Sequence, residues 1–216
     1  MAAELRMVPL PRTAGRRREM GRLSELRRSL EEKRSIARNG EVARSFRERV
    51  RALPAPRVLE LGTRRVDPTA PSRRGAWVPH AALYLGVDVA PGPDVDLVAD
   101  AHQLAAAVGE ARFDLVIACS VFEHLARPWI AAVEIARVLR PGGLVFVQTH
   151  QTFPLHAHPH DYWRFSIEAL RLIFEDAGLN TLDAAYEYRA RIFSRETPRA
   201  PIYPAYLNVC ILAERP

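Results

Sequence analysis

Residues 113–149 have the sequence FDLVIACSVFEHLARPWIAAVEIARVLRPGGLVFVQT. The run at its start, 113–119, and the run at its end, 144–149, are nearly all apolar, which is typical of strands buried on both faces. Between them, apolar residues recur at helical spacing after Pro128, a residue type favoured at the first position of a helix. A Pro-Gly-Gly turn then ends the helix. The stretch therefore predicts a strand, a covering helix and a second, parallel strand.

The same alternation continues on both sides of this unit. Pro54 and Pro56 oppose helix formation ahead of the first apolar run, and Ser166 is placed to cap a helix that ends near Gly178. Alternating strands and helices specify a mainly parallel sheet covered on both faces, so we predict a doubly wound α/β fold of the Rossmann-like type. The seven predicted strands cover residues 57–61, 83–87, 96–99, 113–119, 144–149, 181–188 and 207–213.

Charge is distributed unevenly along the chain. The 216 residues carry a formal net charge of +6, but residues 1–57 hold 16 Lys and Arg against 7 Asp and Glu. We predict a basic, disordered tail over residues 1–18, a helical arm or lid over 19–53 and one compact domain over 54–216. The Arg-rich part could bind nucleic acid, although acidic residues interrupt it as they do on an ordinary solvated helix.

The hydropathy pattern bears on the compartment. No apolar stretch is long enough for a signal peptide or a transmembrane helix, so the sequence predicts a cytoplasmic protein without a membrane partner. The two cysteines, Cys119 and Cys210, lie in apolar runs and are expected to be buried thiols rather than a disulfide or a metal site.

Glycine or a polar residue follows each of the first four predicted strands. Gly62 ends the first strand, Asp88 the second, Asp100 the third and Ser120 the fourth. The carboxyl ends of parallel strands meet at one edge of a sheet and form a crevice there. A glycine lets a ligand approach the backbone, one carboxylate can accept hydrogen bonds from ribose hydroxyls, and the other can accept from an adenine amine. The pattern indicates a site for an adenosine-containing ligand.

Two further motifs carry a family resemblance. Ser-Val-Phe-Glu-His-Leu at 120–125 and Val-Leu-Arg-Pro-Gly-Gly at 138–143 resemble the class I S-adenosylmethionine-dependent methyltransferases, specifically their type 11-like group, over about residues 57–180. The resemblance implies S-adenosylmethionine as cofactor and an antiparallel last strand beside the fifth. It also implies that the cofactor is bound by Glu60, Gly62, Asp88, Asp100, Ala101, Cys119 and Ser120. We add the neighbouring Thr63, Arg64 and Val89 as predicted cofactor contacts.

The chain departs from this family directly after the first strand. Members carry two or three alternating glycines and a helix there, whereas this chain continues Thr-Arg-Arg-Val-Asp-Pro at 63–68, followed by prolines that oppose a regular helix. The cofactor carboxylate would then lack its usual backbone support. We hypothesise that Arg64 or Arg65 pairs with it instead; the alternative is a solvent-facing arginine on a loop.

The segment after the fifth strand, HQTFPLHAHPHDYWRF at 150–165, holds four histidines beside an aspartate. An imidazole titrates near neutral pH and can remove a proton from an acceptor hydroxyl or amine. We favour proton transfer or acceptor binding over a structural loop, and we predict no metal because the alternating histidines lack helical spacing. For Glu123 and His124 we favour a structural role. The predicted catalytic residues are His156, His158, His160 and Asp161, and the predicted acceptor-binding residues are His150, Tyr162, Trp163 and Arg164.

These features together predict methyl transfer to oxygen or nitrogen of a small-molecule acceptor, such as a natural product or a sugar. Two alternatives stay open: an RNA methyltransferase that uses the basic arm, and a catalytically silent cofactor-binding protein. Nucleic acid is the less favoured partner, because the fourth strand lacks the Asn/Asp-Pro-Pro-aromatic segment of N-methyltransferases that act on adenine or glutamine. The N-terminal helices could also form a homodimer contact.

Overall fold

The part of the chain that can be described is one sheet with its covering helices. The predicted tail and the first part of the predicted arm, up to residue 39, lie outside the described residues. The computed structural model describes residues 40–67, 69, 73–193 and 203–216.

Each of the seven predicted strands is found, although the fifth, sixth and seventh extend beyond their predicted ranges. They are β1 Arg57–Leu61, β2 Leu83–Asp88, β3 Leu97–Val98, β4 Phe113–Cys119, β5 Leu139–His150, β6 Asn180–Ile192 and β7 Tyr203–Glu214. Their spatial order is β3-β2-β1-β4-β5-β7-β6, and β7 runs antiparallel to both of its neighbours. The predicted fold class and the predicted antiparallel strand beside the fifth are both confirmed.

Alternate side chains of the central strands enter two separate hydrophobic cores. Leu59 and Val116 pack with three helices on one face, whereas Leu115 and Phe146 pack with a fourth helix on the opposite face. Helices therefore cover both faces, as a doubly wound fold requires. Within the described ranges, no helix is long and apolar enough to cross a bilayer. The helices are α1 Glu41–Arg51, α2 Leu104–Val108, α3 Pro128–Val138 and α4 Ile167–Asp176.

Helix α1 packs its apolar side on the sheet. Val42, Phe46 and Val50 recur every four residues and are fully buried. The ring of Phe46 stacks on that of Phe146, with 4.8 Å between the ring centroids. Full burial of such a side chain stabilises a fold by roughly 1.5–3 kcal/mol. This packing supports a sheet-covering role for the described part of the predicted arm, and a lid function stays a prediction.

Local signals in the sequence set the ends of α4. The Ser166 hydroxyl accepts a hydrogen bond from the Ala169 backbone N–H at 3.1 Å, and Gly178 takes the left-handed conformation with φ +80°. Strand β5 begins five residues earlier than predicted. The reason is main-chain pairing of the predicted turn, because Gly142 and Gly143 exchange hydrogen bonds of 2.7 and 2.9 Å with Arg215.

Candidate cofactor and acceptor site

A cleft of about 650 Å³ opens at the carboxyl ends of β1, β2 and β4. This volume is in the range of pockets that bind small ligands. Seven predicted cofactor residues and three residues of the histidine-rich loop line it: Gly62, Arg64, Asp88, Val89, Asp100, Ala101, Ser120, Ala157, His160 and Tyr162.

Asp88 lies at the tip of β2 and lines the cleft. Its carboxylate accepts hydrogen bonds from the backbone N–H groups of Arg64 and Ala90, both at 3.1 Å. A carboxylate offers about four lone-pair positions, so these two bonds fix its orientation and leave acceptor capacity. The geometry allows Asp88 to accept hydrogen bonds from a pair of sugar hydroxyls.

Asp100 caps the short 3₁₀ helix Ala101–Gln103 at the same edge of the cleft. One of its oxygens accepts from the backbone N–H of His102 at 2.9 Å and from the ring Nδ1 of His102 at 2.6 Å. Partial burial alone would raise the pKa of Asp100, but the hydrogen bonds from His102 lower it, so the carboxylate stays ionised. His102 also lines the cleft, which the sequence analysis did not predict.

Main chain forms part of the cleft wall. Gly62 has φ +75°, and a Cβ atom there would overlap the Cγ2 atom of Val121. Ser120 also has a positive φ, +55°, which costs energy for a residue other than glycine and is concentrated at functional sites in proteins. At position 62, the positive φ and the lack of room for a Cβ atom together require glycine. The predicted role of Gly62 therefore has a steric basis.

Exposed apolar side chains complete the cleft. Val66, Val89 and Tyr162 line it and are 81%, 74% and 47% exposed. Exposed apolar groups of this size, gathered at one concave surface, indicate contact with an apolar part of a ligand. With the carboxylates of Asp88 and Asp100, they provide what an adenosyl group requires: acceptors for the sugar and the base amine, and apolar contact for the ring.

Three predicted cofactor residues lie outside the cleft lining. Glu60 accepts hydrogen bonds from Arg74 N at 2.9 Å and from the Tyr84 hydroxyl at 2.5 Å, and its burial raises the pKa of the carboxyl despite these bonds. Burial also raises the pKa of the Cys119 thiol to about 12. Thr63 is fully buried. Because side chains alternate along a strand, Glu60 and Cys119 point to the α1 face rather than into the cleft.

The two arginines after β1 differ in their surroundings. Arg65 forms a bidentate ion pair with Asp94, at 2.7 and 3.0 Å, and does not line the cleft, so the structure does not support its pairing with the cofactor carboxylate. Arg64 does line the cleft, and its Nε atom lies 3.9 Å from Oδ1 of Asp88. Pairing of Arg64 with the cofactor carboxylate stays a prediction.

The histidine-rich loop places only one of its predicted catalytic residues in the cleft lining. His160 lines the cleft, and its Nδ1 atom lies 3.0 Å from the Tyr162 hydroxyl. His158 is exposed and lies outside the lining. His156 is half-buried and stands behind the lining, where its ring contacts those of His124 and His150. The structure therefore does not support proton transfer by His156 or His158.

The remaining residues of this loop anchor it. Arg164 donates hydrogen bonds to both oxygens of Asp161, at 2.6 and 2.8 Å, and these bonds hold the pKa of Asp161 far below its usual range. A carboxylate that stays ionised in this way is a weak base. The indole N–H of Trp163 donates to the Leu125 carbonyl at 2.8 Å. None of the three lines the cleft, so the structure gives them an anchoring role in place of the predicted catalytic and acceptor contacts.

Two further histidines had predicted roles: the hydrogen bond of His124 fits its predicted structural role, whereas His150 lies away from the cleft. His124, for which the sequence favoured a structural role, lines the cleft, and its Nδ1 atom lies 2.7 Å from the His160 carbonyl oxygen. A carbonyl only accepts, so this nitrogen carries the proton and holds the main chain of His160. His150, predicted to bind the acceptor, is 8% exposed and outside the lining. The position of His124 just after β4, at a strand end, is the signal that could have identified it.

The comparisons with known proteins agree with this geometry. Residues 77–147 match a family model described as a methyltransferase domain. No curated protein matches the chain by sequence.

Several solved structures share the fold at low sequence identity. An S-adenosylmethionine-dependent methyltransferase from Mesorhizobium loti is 16% identical with a TM-score of 0.53, over 78% of this chain and 96% of that chain. The Burkholderia thailandensis 1,6-didemethyltoxoflavin-N1-methyltransferase, with bound 1,6-didemethyltoxoflavin and S-adenosylhomocysteine, is 17% identical with a TM-score of 0.56, over 96% and 93%. The trans-methyltransferase CalH in complex with S-adenosylhomocysteine is 17% identical with a TM-score of 0.57, over 79% and 54%.

The family match confirms the predicted enzyme class, a methyltransferase, and the solved structures confirm the predicted fold. Two of those structures hold S-adenosylhomocysteine, the product of the predicted cofactor. The individual cofactor contacts stay predictions. Those supported by the cleft geometry are Gly62, Arg64, Asp88, Val89, Asp100, Ala101 and Ser120.

Proposed function

Because this chain carries a methyltransferase domain on the class I S-adenosylmethionine-dependent fold, we propose that it methylates a small-molecule acceptor bound beside His160. The single observation that carries the proposal is that the cleft lining consists of two chemically different parts. The residues that follow β2 and β3 offer carboxylates for an adenosyl group. The residues that follow β4 and β5 offer imidazole and phenol side chains: His124, His160 and Tyr162.

These residues act mainly by positioning. Bound S-adenosylmethionine supplies an electrophilic methyl group, and direct displacement needs the acceptor atom about 3 to 3.5 Å from it with orbitals aligned. Tyr162, half exposed on the cleft wall, can pack against an apolar or planar acceptor. His160 accepts the proton that a hydroxyl or amine acceptor must lose, and His124 holds the His160 carbonyl in place.

Two further observations support the proposal. The Burkholderia thailandensis structure holds a small heterocyclic acceptor together with S-adenosylhomocysteine on a similar fold. Both cysteines of the present chain are free and buried, which fits the reducing cytoplasm that we propose as its location.

Cofactor binding tests the premise of the proposal. We expect Asp88→Asn to weaken S-adenosylhomocysteine binding about tenfold or more in isothermal titration, because a hydrogen bond to a charged group contributes roughly 1.5–3 kcal/mol. The matched control is Asp176→Asn, the same substitution at an exposed position on α4. Equal affinity of the Asp88 variant and the parent would contradict the assignment of the sugar-binding carboxylate.

The acceptor class is tested by release of S-adenosylhomocysteine from labelled cofactor. We expect release with members of a panel of small phenols, hydroxylated heterocycles and amines, and no release with transfer or ribosomal RNA. Release with RNA alone, falling steeply as salt is raised, would overturn the proposal in favour of an RNA methyltransferase. Tight cofactor binding without release by any acceptor tested would overturn it in favour of a silent cofactor-binding protein.

A further inference from the structure

Three ionisable side chains converge behind the cleft wall. They come from distant parts of the chain: Glu123 from the 3₁₀ helix Phe122–His124, His150 from the end of β5, and His156 from the loop that follows. One candidate ligand atom from each lies within 4.8 Å of the other two. Glu123 is fully buried, His150 is 8% exposed, and the side chain of His156 is 29% exposed. The group is therefore enclosed by protein except on the His156 side.

One carboxylate oxygen of Glu123 is buried without a hydrogen bond. Its Oε2 atom accepts from the Thr149 hydroxyl at 2.6 Å, which fixes the orientation of the carboxylate. Its Oε1 atom has no hydrogen-bond partner, although the Nε2 atom of His150 lies only 3.0 Å away. The two atoms are close, but no ring N–H points along the line between them. A buried carboxylate oxygen left in this state costs free energy unless a hydrogen-bond donor or a cation satisfies it.

The protonation of the two imidazoles follows from their other ring nitrogen. The Nδ1 atom of His150 lies 3.1 Å from the side-chain oxygen of Asn208, and that of His156 lies 3.1 Å from the Pro154 carbonyl oxygen. Both oxygens only accept hydrogen bonds, so each Nδ1 carries the proton and each Nε2 presents a lone pair. Histidines that bind metals characteristically donate their second ring N–H to such an oxygen, and metal-binding carboxylates are themselves hydrogen-bonded, as Glu123 is.

We propose that Oε1 of Glu123 and the Nε2 atoms of His150 and His156 bind one divalent transition-metal ion, with Zn²⁺ as the expected ion. Two imidazoles and one carboxylate are a ligand set of zinc sites that keep a coordination position open. Ligand atoms about 2.0–2.1 Å from a tetrahedral ion are about 3.3 Å apart, close to the observed 3.0 Å between Oε1 and Nε2 of His150. This proposal departs from the prediction of no metal, which rested on the spacing of the loop histidines; Glu123, after β4, lies outside that loop.

A neighbouring group of potential ligands is the weaker candidate. His124, His156 and Asp161 also offer atoms within 4.8 Å of one another. Both oxygens of Asp161 already accept hydrogen bonds from Arg164, and one of them also accepts from the His156 backbone N–H at 2.9 Å. Asp161 would have to give up a bidentate ion pair to bind a metal, whereas Glu123 would gain a partner.

The proposed metal site borders the cleft. The Nε2 atom of His124, which lines the cleft, lies 4.0 Å from Oε1 of Glu123. An ion with an open position there could bind an oxygen or nitrogen atom of the acceptor and favour its deprotonated form. This role rests on the proposed function, whereas binding of the ion itself does not.

The test measures metal binding by the full-length protein without any enzymatic assay. After dialysis against a chelator, we expect one Zn²⁺ per chain by isothermal titration and a visible absorption band on addition of Co²⁺. Glu123→Gln and His156→Gln should each weaken Zn²⁺ binding more than tenfold and remove the Co²⁺ band, since even loss of a residue that only orients a ligand typically costs 10–100-fold in affinity. His158→Ala, on the same loop but exposed, is the matched control and should bind Zn²⁺ as the parent does.

Three outcomes would overturn the proposal. They are the absence of saturable Zn²⁺ binding to the folded parent, unchanged affinity in both glutamine variants, and loss of binding in His158→Ala with retention in His156→Gln. Circular dichroism and S-adenosylhomocysteine titration of each variant show whether it is folded and whether its cofactor cleft is intact. His156→Gln, at a half-buried position, provides the test if Glu123→Gln does not fold. Failure to bind Zn²⁺ with intact cofactor binding would refute the metal site and leave the proposed function unaffected.

Discussion

Two histidines from distant parts of the chain are joined at the acceptor side of the cleft. His124, just after β4, donates a hydrogen bond to the main chain of His160, in the loop after β5, and both line the cleft. The ring of His160 is further oriented by the Tyr162 hydroxyl. A general base must lie within hydrogen-bond distance of the proton that it removes, and small displacements strongly reduce the rate of the reaction. The contacts with His124 and Tyr162 would hold His160 in such a position.

This arrangement predicts which loop histidine matters for turnover. We expect His160→Ala to lower kcat by about 10²–10⁴-fold, the usual contribution of a general base, with little change in cofactor affinity. The measurement is single-turnover methyl transfer to whichever acceptor the panel identifies, together with cofactor titration. A fall in cofactor affinity with unchanged turnover at saturation would instead make His160 part of the cofactor site.

At the scale of elements, the loop between β5 and α4 is held by the ion pair of Asp161 and Arg164. Hydrogen bonds from Arg164 lower the pKa of Asp161 below its ordinary value of 3.8 in the folded protein. The stability that this carboxylate contributes is therefore fully present above about pH 4 and is lost as the pH falls through the lowered pKa.

This linkage predicts a pH-dependent effect of Asp161→Asn. We expect the substitution to lower the free energy of unfolding at pH 6, and the difference from the parent to shrink towards pH 3. Denaturant unfolding at both pH values measures it, with Asp176→Asn as a control that should show no such trend. A difference that is independent of pH would show that the loop is stabilised by other contacts.

Helix α1 is the second element with a testable role. Phe46 is fully buried against Phe146 and Trp77, so we expect Phe46→Ala to lower the free energy of unfolding by about 3–5 kcal/mol. Glu48→Ala, on the exposed side of the same helix, should change it by less than about 0.5 kcal/mol. If α1 is a cover of the sheet, folded Phe46→Ala protein binds S-adenosylhomocysteine as the parent does. A large loss of cofactor affinity would indicate a lid.

For the whole molecule, the sequence was sufficient to predict the sheet and much of the cofactor side of the cleft. Buried parallel strands are continuous apolar runs, so their positions are visible without a structure, and Asp88 and Asp100 follow from being at strand ends. It was harder to predict from the sequence which face of the sheet a side chain near a strand end lies on. Glu60 and Cys119 lie at the expected ends of β1 and β4, but strand alternation turns both to the α1 face.

The acceptor side depended on contacts that no local pattern encodes. Which of the loop histidines reaches the cleft is decided by anchors such as the bond from Trp163 to the Leu125 carbonyl, between residues 38 positions apart. The grouping of Glu123, His150 and His156 likewise requires β4 and β5 to be neighbours in the sheet. The sequence therefore shows which residue types this region contains, but not how they are arranged in space.

The position of β7 has a consequence for synthesis of the protein on the ribosome. Among the described strands it comes last in sequence, yet it lies between β5 and β6, and it is the one described strand that β6 pairs with. Until residues 203–214 have emerged, β5 exposes an unpaired edge and β6 has nothing to join, and such edges are prone to pairing with other chains. The nascent polypeptide is thus exposed to aggregation until β7 has paired with both neighbours, and a stop codon shortly before Tyr203 would leave both edges unpaired.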